Sequence, residues 1–212
     1  DWNPRNFLVG EEGRLMLLDT DSYAFTLSGE TFGTTCAAPG FIAPEVLKLM
    51  ESTGIGNFEG LAVATKAPVF TPQTDDFALA VHIFKMLNRG VHPFSGDLDL
   101  DFYDLDDDDI PPAPSLNTCI REGQSPFIGT QVGYAVPDYA LGLNDFPFLL
   151  SEAFRRSLYD NWVEERISAR VWARLLDRYL SEAIECPRGH LHTSQHECPY
   201  CRGEHALLTR LG

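Results

Sequence analysis

The stretch that decides the fold is DWNPRNFLV, residues 1–9, in which an aspartate and an asparagine five positions apart precede a short apolar segment. A second apolar segment ends at Asp19, thirteen residues after Asn6. Turn-forming residues at 10–13 separate the two segments, which predicts a β-hairpin. The hairpin would place Asp1, Asn6 and Asp19 on adjoining loops.

Two carboxylates and one amide on short loops suit the chemistry of phosphoryl transfer. One carboxylate can orient an acceptor hydroxyl and take its proton, while the amide oxygen and the other carboxylate can hold Mg²⁺ against nucleotide phosphates. Loop capping and turn formation are the alternative explanation for such residues. An Asp-x4-Asn spacing is common, so the order of motifs further along the chain must carry the argument.

The remaining helices and loops are read from capping residues and apolar spacing. A short helix is expected to start at Pro44, and a long apolar helix to run from an N-cap at Thr74 to Gly90. Two more helices are predicted over 148–160 and 168–180. Residues 28–42 are expected to form a loop, and the short helix to end at Met50, followed by a weakly patterned insert to about Pro72.

Four motifs follow the opening stretch in order: Phe-Ile-Ala-Pro-Glu at 41–45, Asp-Asp-Phe-Ala-Leu-Ala-Val at 75–81, His-Pro-Phe at 92–94, and Arg166. The ordered set resembles the C-terminal lobe of eukaryotic-like (Hanks-type) protein kinases, over residues 1 to about 182. With Asp-Thr-Asp-Ser at 19–22 and a cysteine-rich tail, it is most similar to a bacterial kinase-like family. Members of that family are often linked to helix-hairpin-helix DNA-binding modules.

The resemblance implies roles for three polar residues. Asp1 is similar to the catalytic-loop aspartate, and Asn6 and Asp19 are similar to the residues that hold Mg²⁺ and ATP. Two departures weaken the match, because Asn3 replaces a usual lysine and Asp-Thr-Asp replaces Asp-Phe-Gly. They put the rate and the mode of activation in question more than metal binding.

Structural and regulatory residues are implied in the same way. Glu45 would pair with Arg166 inside the lobe, and Asp75 would hydrogen-bond the backbone of the catalytic loop. By their position in the equivalent of the activation segment, three threonines are candidate phosphorylation sites: Thr31, Thr34 and Thr35.

The tail carries a separate pattern of metal ligands. Cys186-x3-His190-x7-Cys198-x2-Cys201 offers three thiolates and one imidazole, the donor set of a closed tetrahedral zinc site. His190 is preferred because its spacing pairs it with Cys186, although three other histidines are rivals: His192, His196 and His205. Free thiols and redox activity are the alternatives. The distant Cys36 and Cys119 are expected to be small buried side chains.

Composition limits the remaining possibilities. The chain has 212 residues, 44% of them hydrophobic, and a formal net charge of -15. This size fits one domain with a small appendage, and the charge argues against direct nucleic-acid binding. No apolar stretch is long enough for a membrane span, and the cysteines fit a reducing compartment, so a cytoplasmic location is expected. The acidic run 97–109 only partly matches a calcium loop and is expected to be a solvated surface loop.

The predicted fold is α+β and mainly α-helical: a kinase-like C-terminal lobe over 1–184, then a zinc knuckle or ribbon element over 185–212. Residues 1–212 would be part of a Ser/Thr-type kinase that moves the γ-phosphate of ATP to a protein hydroxyl with Mg²⁺. The alternative is a pseudokinase, a nucleotide sensor or scaffold whose zinc tail docks a partner. The N-terminal lobe, with its glycine-rich loop, would come from elsewhere in the same or another chain, and residues 1–212 alone would be inactive.

Overall fold

A computed structural model describes residues 3–19, 23–32, 34, 36–65, 69–99, 101–103, 112–159, 162–194 and 197–211. Within these ranges the fold is α+β, with most helices in the middle and C-terminal parts and small two-stranded sheets. None of the helices found there combines the length and the apolar character that crossing a bilayer needs. The helices and small sheets confirm the predicted α+β fold class.

Two hairpins form the N-terminal part. Strands β1 (Phe7–Val9) and β2 (Leu15–Leu17) pair antiparallel with Phe7 opposite Leu17, as the sequence predicted. Strands β3 (Phe25–Leu27) and β4 (Glu30–Phe32) form a second hairpin. The prediction of a loop over 28–42 is therefore wrong in its first part. A Ser28-Gly29 turn with positive φ at both residues joins these strands, which is the backbone that a tight hairpin needs.

Seven α-helices are found in the described part of the chain. They are α1 (Pro44–Thr53), α2 (Phe58–Thr65), α3 (Pro72–Leu87), α4 (Leu116–Glu122), α5 (Phe148–Phe154), α6 (Ala169–Glu182) and α7 (Pro199–Leu211). One π-helical turn over Arg155–Tyr159 continues α5. Two-residue strands complete the fold: β5 (Asp97–Leu98) pairs with β6 (Tyr134–Ala135), and β7 (Ile184–Glu185) pairs with β8 (Leu191–His192).

Helix α3 is the centre of the core. Phe77, Val81 and Phe84 on this helix are fully buried, and Phe84 makes edge-to-face contacts with Phe127 and Phe154. The helix begins earlier than predicted. Thr71 is the N-cap, and it exchanges hydrogen bonds with Thr74 in a capping box, with Pro at the first helical position.

Other differences from the sequence-based expectations are local. Helix α2 lies in the segment predicted as a weakly patterned insert, α4 is not among the predicted helices, and α7 occupies the tail predicted as a zinc knuckle or ribbon. Cys119 is buried as expected, but Cys36 is exposed, so that part of the prediction is wrong. In the acidic run, Asp97 and Leu98 are paired strand residues and not free loop, while 100 and 104–109 lie outside the described residues.

Candidate functional site

The β1–β2 hairpin brings Asn6 and Asp19 to the same end of one small sheet. Asn6 directly precedes β1, and its carbonyl oxygen accepts a 2.8 Å hydrogen bond from the backbone N–H of Leu18. Asp19 follows Leu18, so the amide and the carboxylate stem from adjoining backbone. Asp1, the third member of the predicted set, lies outside the described residues.

The backbone has a distinct local conformation at Asp19 and at Asn3. Asp19 has a φ of 58°, in the left-handed region that few residues other than glycine adopt. Aspartate adopts this region more readily than most other non-glycine residues. Asn3 caps a short 3₁₀ turn over Pro4–Asn6 by accepting a 3.1 Å hydrogen bond from the N–H of Arg5. The side-chain oxygen of Asn3 thus holds the local backbone that leads into Asn6.

A cleft of about 350 Å³ opens beside this hairpin. Asn6 and Asp75 both line it, together with Thr34, Cys36 and Phe41 from the segment before α1. Asp75 lies in the first turn of α3, so the helix N-terminus also faces this region. The structure thus places Asn6 and Asp75 at one cleft, next to the hairpin end that carries Asp19.

The three candidate phosphorylation sites differ in how far they are described. Thr34 is buried, and its hydroxyl donates a 2.9 Å hydrogen bond to the carbonyl of Cys36. Phosphorylation of Thr34 would therefore require this segment to open. Thr31 lies on β4, but its side chain is outside the described part, and Thr35 is wholly outside it.

The structure also brings Glu45 and Arg166 together. The Arg166 guanidinium donates two hydrogen bonds of 2.7 Å to the two carboxylate oxygens of Glu45, and a third of 2.9 Å to the carbonyl of Gln73. The Arg166 side chain is 2% exposed and lies over the ring of Phe77. This pair joins the start of α1 to the start of α3 and to the segment before α6.

A second candidate site lies in the tail, where four ligand atoms converge. The sulfur and nitrogen donors of Cys186, His190, Cys198 and Cys201 all lie within 4.8 Å of one another. The Nδ1 atom of His190 is 3.6, 3.8 and 3.4 Å from the three sulfurs in that order, and Cys186 Sγ is 3.7 Å from Cys201 Sγ.

These distances can be compared with an ideal tetrahedral zinc site. Zn–S bonds of about 2.3 Å and Zn–N bonds of about 2.05 Å give tetrahedron edges of about 3.8 Å between sulfurs and about 3.6 Å from sulfur to nitrogen. The 3.7 Å sulfur separation is far from the roughly 2.05 Å of a disulfide. The donor set and its spacing therefore fit a tetrahedral metal ion.

Local hydrogen bonds prepare one thiol to ionise. Burial opposes ionisation of Cys186, but backbone N–H groups of Arg188 and His190, with the neighbouring thiols, outweigh it and lower the pKa of Cys186 to about 6. Burial and the neighbouring thiols raise the pKa of Cys201. Clustered thiols resist ionising together, so a bound cation would stabilise the fully ionised set.

Contacts that the sequence analysis did not predict attach this cluster to the rest of the chain. Glu204 Oε1 lies 3.1 Å from His190 Nε2 and 3.1 Å from the Nη2 atom of Arg89, just after α3. The Tyr200 hydroxyl donates a 3.0 Å hydrogen bond to the carbonyl of Leu87, and Arg202 contacts both carboxylate oxygens of Asp145 at 2.7 Å. Three of these four pairs join residues 57 to 115 positions apart, so no short-range spacing signals them.

Comparison with known proteins gives one kind of match. The chain is similar to protein kinase YegI of Escherichia coli strain K12 and of Escherichia coli O157:H7, with 25% identity over 207 residues in each case. The match covers 95% of this chain but only 28% and 29% of those two proteins, respectively. No family model and no solved structure matches the chain. The similarity supports a distant kinase-like relationship.

Proposed function

We propose that this chain forms the C-terminal lobe of a Ser/Thr-type protein kinase that transfers the γ-phosphate of ATP to a protein hydroxyl with Mg²⁺. The observation that carries the proposal is the first hairpin, in which the Asn6 carbonyl accepts a hydrogen bond from the N–H of Leu18, the neighbour of Asp19, beside a cleft that Asn6 lines. Similarity to a protein named as a kinase, over 95% of the chain, supports the same reading.

In this proposal each residue of the site has its own role. Asp1 would orient the acceptor hydroxyl and take its proton. Asn6 and Asp19 would hold Mg²⁺, which on binding offsets phosphate charge. The Glu45–Arg166 pair would keep the segment before α1 in place. An N-terminal lobe, from elsewhere in a longer parent protein or from another chain, would supply the glycine-rich loop, so we expect residues 1–212 alone to be inactive.

The first hairpin offers an apolar surface for that lobe. Its strands leave five large apolar side chains 49% to 71% exposed: Leu8, Val9, Leu15, Met16 and Leu17. Exposed apolar area of this kind marks interaction surfaces. We propose that the N-terminal lobe of the parent protein packs on it.

Phosphate transfer by the full-length parent tests the enzyme. Radiolabel from [γ-³²P]ATP should reach protein acceptors only with Mg²⁺, and Asp1→Ala or Asp19→Ala should reduce transfer by at least 10³-fold, within the effects known for electrostatic and acid–base groups. Asp177→Ala, which removes an exposed aspartate of α6 outside the proposed site, is the control. Equal activity of the parent and the Asp19→Ala variant would contradict the proposal.

A pseudokinase scaffold is the second candidate. It is favoured by Asn3, whose side chain caps the local turn at a position where a kinase would need a lysine aimed at phosphate. Under this alternative the parent binds nucleotide without transferring phosphate, and its cellular role survives Asp1→Ala. Label transfer that is lost in the same variant excludes it.

We also propose that the tail cluster binds one structural zinc ion through Cys186, His190, Cys198 and Cys201. The distances fit a tetrahedral site, and four protein ligands leave no position open for substrate. Purified chain should contain one equivalent of zinc by elemental analysis, and Cys198→Ser should lose it. Cys119→Ser, which removes a cysteine outside the cluster, should retain full zinc content.

A further inference from the structure

The carboxylate of Glu204 bridges the Cys/His cluster and the lobe. Its Oε1 atom lies 3.1 Å from the outward-facing Nε2 atom of His190 and 3.1 Å from Arg89 Nη2. Its Oε2 atom lies 2.9 Å from Arg188 Nη2. The Glu204 side chain is 26% exposed, so these contacts are partly shielded from solvent.

The geometry also fixes which nitrogen of His190 faces the cluster. Nδ1 points at the three sulfurs, so it must carry the lone pair for a metal, and Nε2 must carry the hydrogen. A carboxylate that accepts this hydrogen bond holds the ring in the required tautomer and orientation. Loss of such a partner typically weakens metal binding about 10- to 100-fold.

Arg89 extends this contact to the end of α3. The same Nη2 atom donates to Glu204 Oε1 and, at 3.0 Å, to the carbonyl of Tyr200, and the guanidinium lies over the Tyr200 ring. Tyr200 stands between the ligands Cys198 and Cys201, and its hydroxyl donates to the carbonyl of Leu87. The lobe therefore holds the backbone of the ligand-bearing turn as well as the carboxylate behind His190.

We propose that Glu204 is a positioning residue for the metal site and that Arg89 links metal binding in the tail to the docking of α7 on the lobe. This inference rests on the proposed zinc site. Because binding linkage is reciprocal, docking that raises metal affinity by some factor requires metal binding to stabilise the docked tail by the same factor.

Cobalt binding by the 212-residue chain tests both halves of the inference. Tetrahedral Co²⁺ with thiolate ligands gives intense visible bands, and titrating zinc against the cobalt form yields the zinc affinity. We expect one equivalent to bind the unaltered chain. Glu204→Gln should weaken binding about 10- to 100-fold with the band positions kept, since all four ligands remain. Arg89→Met, which lies in the lobe and alters no residue of the tail, should weaken it at least fivefold.

Two controls separate these effects from general damage. Glu182→Gln removes an exposed carboxylate that pairs with Arg178 within α6, and should change affinity less than about twofold. Circular dichroism at saturating zinc should show native helix content in every variant. Chelation should lower the thermal midpoint of the unaltered chain more than that of Arg89→Met.

Three outcomes would overturn part of the argument, and they are distinguishable. Absence of tetrahedral cobalt bands in the unaltered chain would remove the zinc site, and the inference with it. Normal cobalt binding with both variants within twofold of the unaltered chain would leave the zinc site standing and overturn the inference. A weakened Glu204→Gln beside an unaffected Arg89→Met would overturn the link to the lobe.

Discussion

The side-chain amide of Asn88 holds the main chain of Leu141 at two points. Asn88 Nδ2 donates to the Leu141 carbonyl at 2.9 Å, and Asn88 Oδ1 accepts from the Leu141 N–H at 2.8 Å. Both residues are buried, and Asn88 is also the C-cap of α3. The contact ties the end of the central helix to the loop that precedes α5.

Replacing Asn88 by alanine should therefore be costly. The substitution leaves the buried N–H and the buried carbonyl of Leu141 without a partner. It should lower the free energy of unfolding by about 2–4 kcal/mol. Urea unfolding followed by circular dichroism measures this. Asn144→Ala removes an exposed asparagine nearby and should cost less than about 0.5 kcal/mol. Equal stability of the two variants would contradict the assigned role.

Breaking the Glu45–Arg166 pair should cost more stability than breaking an exposed ion pair. Glu45→Gln removes the charge that compensates an arginine side chain only 2% exposed, and should destabilise the chain by about 3–5 kcal/mol. Arg178→Met breaks a pair whose side chains are 60% and 46% exposed and should cost less than about 1 kcal/mol. Denaturant unfolding of the two variants checks the ranking. A larger loss in Arg178→Met would refute it.

The buried His92 should make the stability of the chain depend on pH. Burial, with smaller contributions from neighbouring cations, lowers the pKa of His92 to about 4. The neutral ring contacts the Gly40 carbonyl through Nε2 and accepts from the Phe94 N–H through Nδ1. The unfolded chain therefore binds a proton between about pH 4 and 6.5 that the folded chain does not.

Stability contributed by His92 is thus complete above about pH 6.5 and falls as the pH drops towards 4, by roughly 3 kcal/mol. The measurement is the free energy of unfolding against pH for the unaltered chain and for His92→Gln. The difference between the two free energies of unfolding should shrink at acid pH. A constant offset for His92→Gln would count against this interpretation.

Replacing Gly203 by alanine should reverse the usual stabilising effect of alanine in a helix. A Cβ at this position would lie 2.6 Å from the carbonyl oxygen of Tyr139. Gly203→Ala, which would normally stabilise a helix by up to about 1 kcal/mol, should here destabilise the docked α7. Thermal unfolding at saturating zinc tests the sign. Gly56→Ala, where a Cβ has open space, should be close to neutral.

The exposure of the cysteines predicts how many thiols react rapidly with a thiol reagent. Cys36 is exposed and Cys119 is buried, while zinc should protect the three cluster cysteines. Ellman's reagent should modify about one thiol quickly in the zinc-loaded chain, and that fast phase should vanish in Cys36→Ser. Chelation followed by denaturation should release all five. Rapid reaction of four thiols with zinc bound would argue against the cluster as the binding site.

The features predicted correctly from the sequence depend on neighbours along the chain. The β1–β2 hairpin follows from two apolar segments around a turn, and Cys186 and His190 are only four positions apart. The contact of Arg89 with Glu204 spans 115 positions and involves two common charged residues, so nothing local marks it. Tertiary packing decides such pairs.

Helices α2 and α7 were missed for a related reason. Each contains a glycine, and α7 also contains a ligand cysteine, so propensity alone argues against them. Pro199 at the first helical position and the packing of Gly203 on Tyr139 compensate in α7. Cys36 was expected to be buried because cysteine usually is, yet it lines an open cleft.

The close spacing of the four cluster residues has a consequence for the order of folding. Cys186 and Cys201 are 15 positions apart, whereas Arg166 and Glu45 are separated by 121. Closing a short loop sacrifices less chain entropy and is faster than closing a long one. The Cys/His cluster can therefore assemble before the contacts between distant segments form, and it then offers a ready-made surface on which the end of α3 completes its packing.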